Sequence, residues 1–157
     1  EYVSGEEVRY LGRQYRLKVI EDEVKRARLV AGYLNIHTPN RGDRHAIAWQ
    51  VDAWYQAQAR RVFAERLNTC YPRVERFGVP FPDLRIREMK SQWGSCGPSG
   101  IITLNLRLIR VPKRYIDYVI LHELCHLKEL NHSPDFYRLL DMVQPEWRQL
   151  RAELNAL

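Results

Sequence analysis

The amino-acid sequence predicts an α+β fold: a short sheet beside one chemically loaded helix, preceded by an N-terminal antiparallel β extension. Three observations predict it. Apolar residues alternate at or near period two over residues 8–37 and over 84–89, and 101–105 are β-prone, which marks short strands. Between these stretches, from Asp43 to about Cys70, apolar residues recur every three or four positions, as on one face of a helix. After Pro112 the chain is helical again, and three of its five histidines fall in one short window there. A chain of 157 residues with 45% hydrophobic content can bury one real core, so residues 1–157 read as a single domain. Within it, 1–40 form the β segment, 43–77 a long helix, and 84–157 the sheet with the histidine-bearing and C-terminal helices.

In the β segment, Tyr10, Tyr15, Leu17 and Val19 alternate or nearly so, and Gly12 supplies a turn. Leu29-Val30-Ala31, Gly32 and Tyr33-Leu34-Asn35-Ile36 repeat strand, turn and strand, and Thr38-Pro39-Asn40-Arg41-Gly42 ends the region. The long helix starts behind Asp43, a residue whose carboxylate can cap free N–H groups. Its apolar positions are Ile47, Val51, Trp54, Tyr55, Val62, Phe63 and Leu67, and Pro72 bends or ends it. Residues 84–89 and 101–105 are strand-like, and Ser91 to Gly100 is turn-rich, so the three read as a hairpin with an elaborate tip. Pro112 opens the next helix, at a position where a missing N–H costs little. Ser133-Pro134 and Gln144-Pro145 divide the remainder into two further helices.

His122-Glu123-Leu124-Cys125-His126 spells H-E-x-x-H, and His132 follows six positions later. On a helix His122 and His126 lie about 40° apart on one face, so both can reach one metal ion. Ile116, Val119, Ile120, Leu124, Leu127 and Leu130 form the apolar face between roughly 60° and 200° from His122. Glu123, at about 100°, falls inside that arc. A carboxylate buried there needs a compensating partner, and a water activated by a metal ion is one. His132 falls near 280° on an unbroken helix and can join the site only if the helix ends first. Asn131 tolerates the left-handed conformation that terminates helices and is the expected break. Glu129 sits about 10 Å along the axis from His122, too far to converge. Glu146 reaches only if the last helix folds back. His122, His126 and His132 are therefore the expected ligands, and three imidazoles with an open fourth position favour zinc. The bland alternative, a helix with buried histidines, leaves Glu123 on its apolar face unexplained.

The run Met89-Lys90-Ser91-Gln92-Trp93-Gly94-Ser95-Cys96, then Ile102-Thr103-Leu104-Asn105, then Leu108-Ile109, then Asp117 to Leu127, then Asn131-His132-Ser133-Pro134-Asp135-Phe136, resembles the YgjP-like family. These are small zinc metallopeptidases related to the SprT and WLM groups. The likeness extends back to Ala48-Trp49 and Trp54-Tyr55 and covers nearly the whole chain. Gln92 departs from the pattern, which often has Arg there, and Glu129 stands where metzincins carry Gly. The resemblance implies a zincin-like minimal metallopeptidase fold, zinc on His122, His126 and His132, and Glu123 as general base. It also brings a rival activity, metal-dependent nucleoside triphosphate pyrophosphatase.

The leading expectation is a zinc-dependent endopeptidase acting on peptide or unfolded protein substrates, with Glu123 taking the proton of the attacking water. The strand Ile101–Asn105 is expected to offer an edge to an extended substrate. Tyr137 is a candidate to steady the oxyanion or else a core residue, and Asp135 and Asn105 are candidates to orient ligand histidines. Trp93-Gly94-Ser95-Cys96 reads as both a substrate-lining loop and a core plug, with Cys96 a weaker candidate as an inhibitory thiolate. For the pyrophosphatase, Arg107, Arg110, Lys113 and Arg114 could hold phosphates, although no Gly-rich phosphate loop or acidic magnesium cluster accompanies them. A third reading is a non-enzymatic metal-stabilised module that binds nucleic acid weakly through a basic surface, the net charge being +6. The positive excess lies in residues 1–90, with 17 Lys/Arg against 12 Asp/Glu. No apolar run is long enough to cross a bilayer, no secretory signal is visible, and Cys70, Cys96 and Cys125 show no pairing pattern; the expectation is a cytoplasmic protein without membrane contact.

Overall fold

A computed structural model describes residues 2–157; residue 1, part of the expected N-terminal segment, lies outside the described residues. The fold is α+β, with two small sheets and five helices among those residues. The first sheet holds β1 (Glu7–Tyr10), β2 (Arg13–Glu21), β3 (Arg26–Val30) and β4 (Tyr33–Thr38) in the order β1-β2-β4-β3. Leu11 and Gly12, both at positive φ, make the two-residue turn between β1 and β2. The expected antiparallel pairing holds for β1 with β2 and for β3 with β4, but β2 and β4 run parallel, Leu17 opposite Leu34 and Val19 opposite Ile36. Burial explains the insertion. β4 carries the buried side chains of Leu34 and Ile36 and takes the centre, while β3, with Arg26 and Arg28, is left on the edge. Residues 22–25 cross the end of β4, pinned by Asp22, whose N–H donates to the Thr38 carbonyl and whose carboxylate meets His37 Nδ1 at 2.9 Å.

Helix α1 (Arg44–Cys70) begins where the Asp43 carboxylate accepts the Ala46 N–H, and every apolar position expected on its inner face is buried. It ends before a short turn of helix, α2 (Pro72–Glu75). The second sheet holds β5 (Asp83–Arg87), β6 (Gly94–Cys96) and β7 (Ile101–Asn105) in the order β5-β7-β6. Here the expected hairpin is corrected: β5 and β7 run parallel, and the true hairpin joins β6 to β7. The three residues of β6, Gly-Ser-Cys, have little strand propensity, which hid them inside the turn-rich stretch.

Residues Leu106–Arg110 form a 3₁₀ turn leading to α3 (Lys113–His126), followed by α4 (Pro134–Val143) and α5 (Trp147–Asn155). Helix α3 is the centre of the molecule. It packs on α1, on β6 and β7, and on α4 and α5. A two-pronged ion pair between Arg66 on α1 and Asp117 on α3, at 2.7 and 2.8 Å, fixes one helix against the other. Gly12 rests on Pro112 so closely that a Cβ there would lie 2.5 Å from the proline ring, which docks the first hairpin on the start of α3. No helix of the described residues is long and apolar enough to cross a membrane.

Candidate metal centre

The last turn of α3 and the loop after it bring His122, His126 and His132 together, one nitrogen of each lying within 4.8 Å of the others. Nε2 of His132 is 2.9 Å from Nε2 of His126 and 3.3 Å from Nε2 of His122. The helix break that permits this comes earlier than expected. Helix α3 ends at His126, and the N–H groups of Leu127, Lys128 and Glu129 close a tightened turn on the carbonyls of Leu124 and Cys125. Asn131 is not left-handed; the only described non-glycine residues at positive φ are Leu11 and Ala31. Leu130, expected on the apolar face, consequently lies beyond the helix and is exposed.

The early break also orients a histidine. Nδ1 of His126 lies 3.0 Å from the Glu129 carbonyl, which can only accept, so the neutral ring carries its proton on Nδ1 and turns the Nε2 lone pair to its neighbours. Beyond the loop, Ser133 caps α4 by accepting the Phe136 N–H, and Phe136 stacks on His126 with centroids 4.3 Å apart. Tyr137 lies between His132 and Trp147, stacked on both, and so backs the third histidine. Asp135 pairs with Arg138 in solvent. Asn105 donates to the carbonyls of Met89 and Gln92 and accepts from the Arg107 N–H, holding the loop before β6. Neither Asp135 nor Asn105 orients a histidine, because nearer partners occupy both.

Charge and burial suit a cation. Burial, followed by the positive charge that His126, His132 and Arg151 would place nearby, drives the His122 imidazolium down to about 3. His126 is also lowered, chiefly by burial. Both rings are therefore neutral donors at ordinary pH. Nitrogens 2.0–2.1 Å from a tetrahedral zinc stand roughly 3.3 Å apart, close to the separations seen here. The donor set fits such an ion. Glu123 is buried beside it, and burial alone pushes its carboxyl up to about 7.

A cavity of about 190 Å³ opens on His122 and Glu123, walled by Gly94, Tyr118, Val119 and Arg151. Gly94 belongs there for want of space: a Cβ would stand 2.8 Å from Val119 Cγ1 and 3.2 Å from the Glu123 carboxylate. Trp93 donates its indole N–H to Asn155 on α5, closing one end. Cys96 turns its thiol to the Gly97 carbonyl at 3.7 Å, and burial pushes it up to about 11, so it is a neutral thiol outside the histidine group. Glu146 is exposed at the start of α5 and also stands apart. Sequence reasoning missed Tyr118, Phe136 and Arg151. Tyr118, four residues before His122, was legible from helical spacing. Nothing local marks Arg151, which α5 delivers by packing.

A helix presenting paired histidines, a third histidine from the following loop and a buried carboxylate at a cleft defines the metal-dependent peptidases, and the comparisons agree. The chain matches the YgjP-like metallopeptidase domain over residues 1–157 and belongs to that family. Among solved structures it is similar to the metallopeptidase zymogen abylysin of Pyrococcus abyssi, with a TM-score of 0.52 and 26% identity over 59% of this chain and 90% of that one. The zymogen jannalysin of Methanocaldococcus jannaschii shares the fold, with a TM-score of 0.50 and 20% identity over 60% of this chain and 94% of that one. No curated relative matches the chain.

Proposed function

We propose that the chain is a zinc-dependent endopeptidase in which His122, His126 and His132 hold the metal through Nε2 and Glu123 is the general base. The convergence of those three nitrogens beside a buried glutamate carries the reading. When bound, zinc supplies a Lewis acid that polarises the scissile carbonyl and acidifies the attacking water. Glu123, buried at the cleft beside the histidines, accepts that water's proton and passes it to the leaving amine. Val119 and Gly94 narrow the cavity around Glu123 and limit competing solvent.

Strand β7 cannot pair with substrate, because β5 and β6 flank it on both sides. The free edge at the cleft belongs to β6, and Gly94, Ser95 and Cys96 are the residues proposed to hydrogen-bond an extended peptide. The pyrophosphatase reading finds less support. Lys113 pairs with Glu65, and Arg107, Arg110 and Arg114 line a second cavity across Trp93 from the histidines.

The test is cleavage of unfolded casein by the zinc-loaded chain, with a nucleotide panel run alongside. Glu123→Gln should keep its zinc and lose peptidase activity by about 10²–10⁴-fold. Pyrophosphate release without proteolysis would sink the proposal, as would an active Glu123→Gln.

A further inference from the structure

Arg151 stands in the wall of the catalytic cavity, and Trp93 separates that cavity from a second one of about 530 Å³. Arg9, Arg107, Arg110 and Arg114 line the second cavity, with Trp93 and Tyr115. Five guanidinium groups from three parts of the chain thus line two neighbouring cavities that share Trp93. Arg9 is neutralised by Glu7 at 2.7 Å. Among the described residues no carboxylate pairs with the other four. Arg107 covers the Trp93 ring, Arg110 the Tyr55 ring, and Arg114 the Tyr115 ring; the nearby acids stand one step off, Glu153 behind the Tyr115 hydroxyl to which Arg114 donates, and Asp52 within reach of the Arg110 charge. Guanidinium groups with no carboxylate at ion-pair distance keep donors open to an anionic ligand.

Resting on the peptidase reading, we propose that the substrate is a polypeptide with acidic side chains flanking the scissile bond, one received by Arg151 and others by Arg107, Arg110 and Arg114 beyond Trp93. A peptide is favoured over nucleic acid because the aromatic rings are already occupied. Single-stranded nucleic acid binds by stacking bases on open aromatic faces. Here Tyr55 and Tyr115 are buried and an arginine covers one face of Trp93. Carboxylates need only guanidinium donors, and Arg107, Arg110 and Arg151 make no ion pair among the described residues.

The experiment uses the full zinc-loaded chain and fluorescence-quenched peptides with one shared neutral core, flanked on either side by three Glu, three Gln or three Lys. The expected kcat/KM ratio of the better Glu peptide to its Gln counterpart is about tenfold or more at low salt and falls as salt is added. Arg151→Gln, and separately Arg107→Gln with Arg110→Gln, bring that ratio toward one, whereas Arg151→Lys retains most of it. A wild-type ratio of one, or a ratio untouched by the Gln variants, overturns the proposal. Binding of the same peptides, read by fluorescence anisotropy, is scored independently of turnover. If no peptide is cleaved, the peptidase reading fails, and a Glu-over-Gln preference in binding still supports the acidic site while its absence overturns it. A single-stranded oligonucleotide that displaces the Glu peptide at lower concentration than unlabelled Glu peptide also overturns it.

Discussion

Gly94 shows how tightly single residues are specified at this site. Its missing side chain is filled by Val119 and by the Glu123 carboxylate that faces the cleft. Gly94→Ala must push one of them aside, and overpacking of this kind costs about 1–3 kcal/mol. Thermal unfolding of the variant should show that loss, and activity should fall while zinc content stays at wild-type level, because the atoms nearest an added Cβ belong to Val119 and Glu123 and not to a histidine. A variant that is as stable and active as the wild type would contradict the close approach. The histidine group was legible in the sequence, since H-E-x-x-H fixes two imidazoles on one helical face and His132 follows six positions later. The device that aims His126 was not. It depends on a main-chain carbonyl, that of Glu129, and carbonyls carry no sequence signature.

Among the elements, α3 carries the chemistry and α1 holds it in place. The Arg66–Asp117 pair is half-buried and bidentate, so removing one partner strands the other. Asp117→Ala should lower unfolding stability by about 1.5–3 kcal/mol, read as a reduced urea midpoint at unchanged slope. Arg66→Ala combined with Asp117→Ala should cost less than the two single losses added together; strict additivity would show that the pair does not couple the helices. Both long helices were legible because their apolar residues keep a helical period over many turns. Strand order was not. Period two reveals that a segment is a strand and says nothing of its neighbour, so the parallel placement of β4 beside β2, and of β7 beside β5, came from burial of the most apolar strands at each sheet's centre.

Across the whole molecule, the proposed metal binding should be linked to folding. Zinc that binds only the folded chain adds about 4 kcal/mol at a free concentration a thousandfold above its dissociation constant, so chelation should lower the melting temperature by roughly 8–16 °C for a chain of this size. The metal-free protein should also be acid-sensitive. His122 ionises near 3 when folded, against the ordinary value of about 6.5 when unfolded. The unfolded chain therefore binds the extra proton between those values, while buried Glu123, raised to about 7, acts in the opposite sense down to the ordinary carboxylate value, so the net loss of stability falls at the acid end of that window, from about 4.5 to about 3. The positive excess of the sequence lies in residues 1–90. Folding nonetheless brings Arg151 to the cleft and Arg107, Arg110 and Arg114 to the neighbouring cavity, all from the nearly neutral C-terminal part.

The central claim is that three imidazoles from a helix end and its following loop meet at one ion. Anomalous diffraction from crystals of the zinc-loaded chain, recorded on either side of the zinc absorption edge, tests it most directly. The account predicts one strong peak about 2.0–2.1 Å from Nε2 of His122, His126 and His132, with Glu123 nearby but not bound to it. A peak held by other residues, or by two of the histidines with His132 turned away, would contradict it.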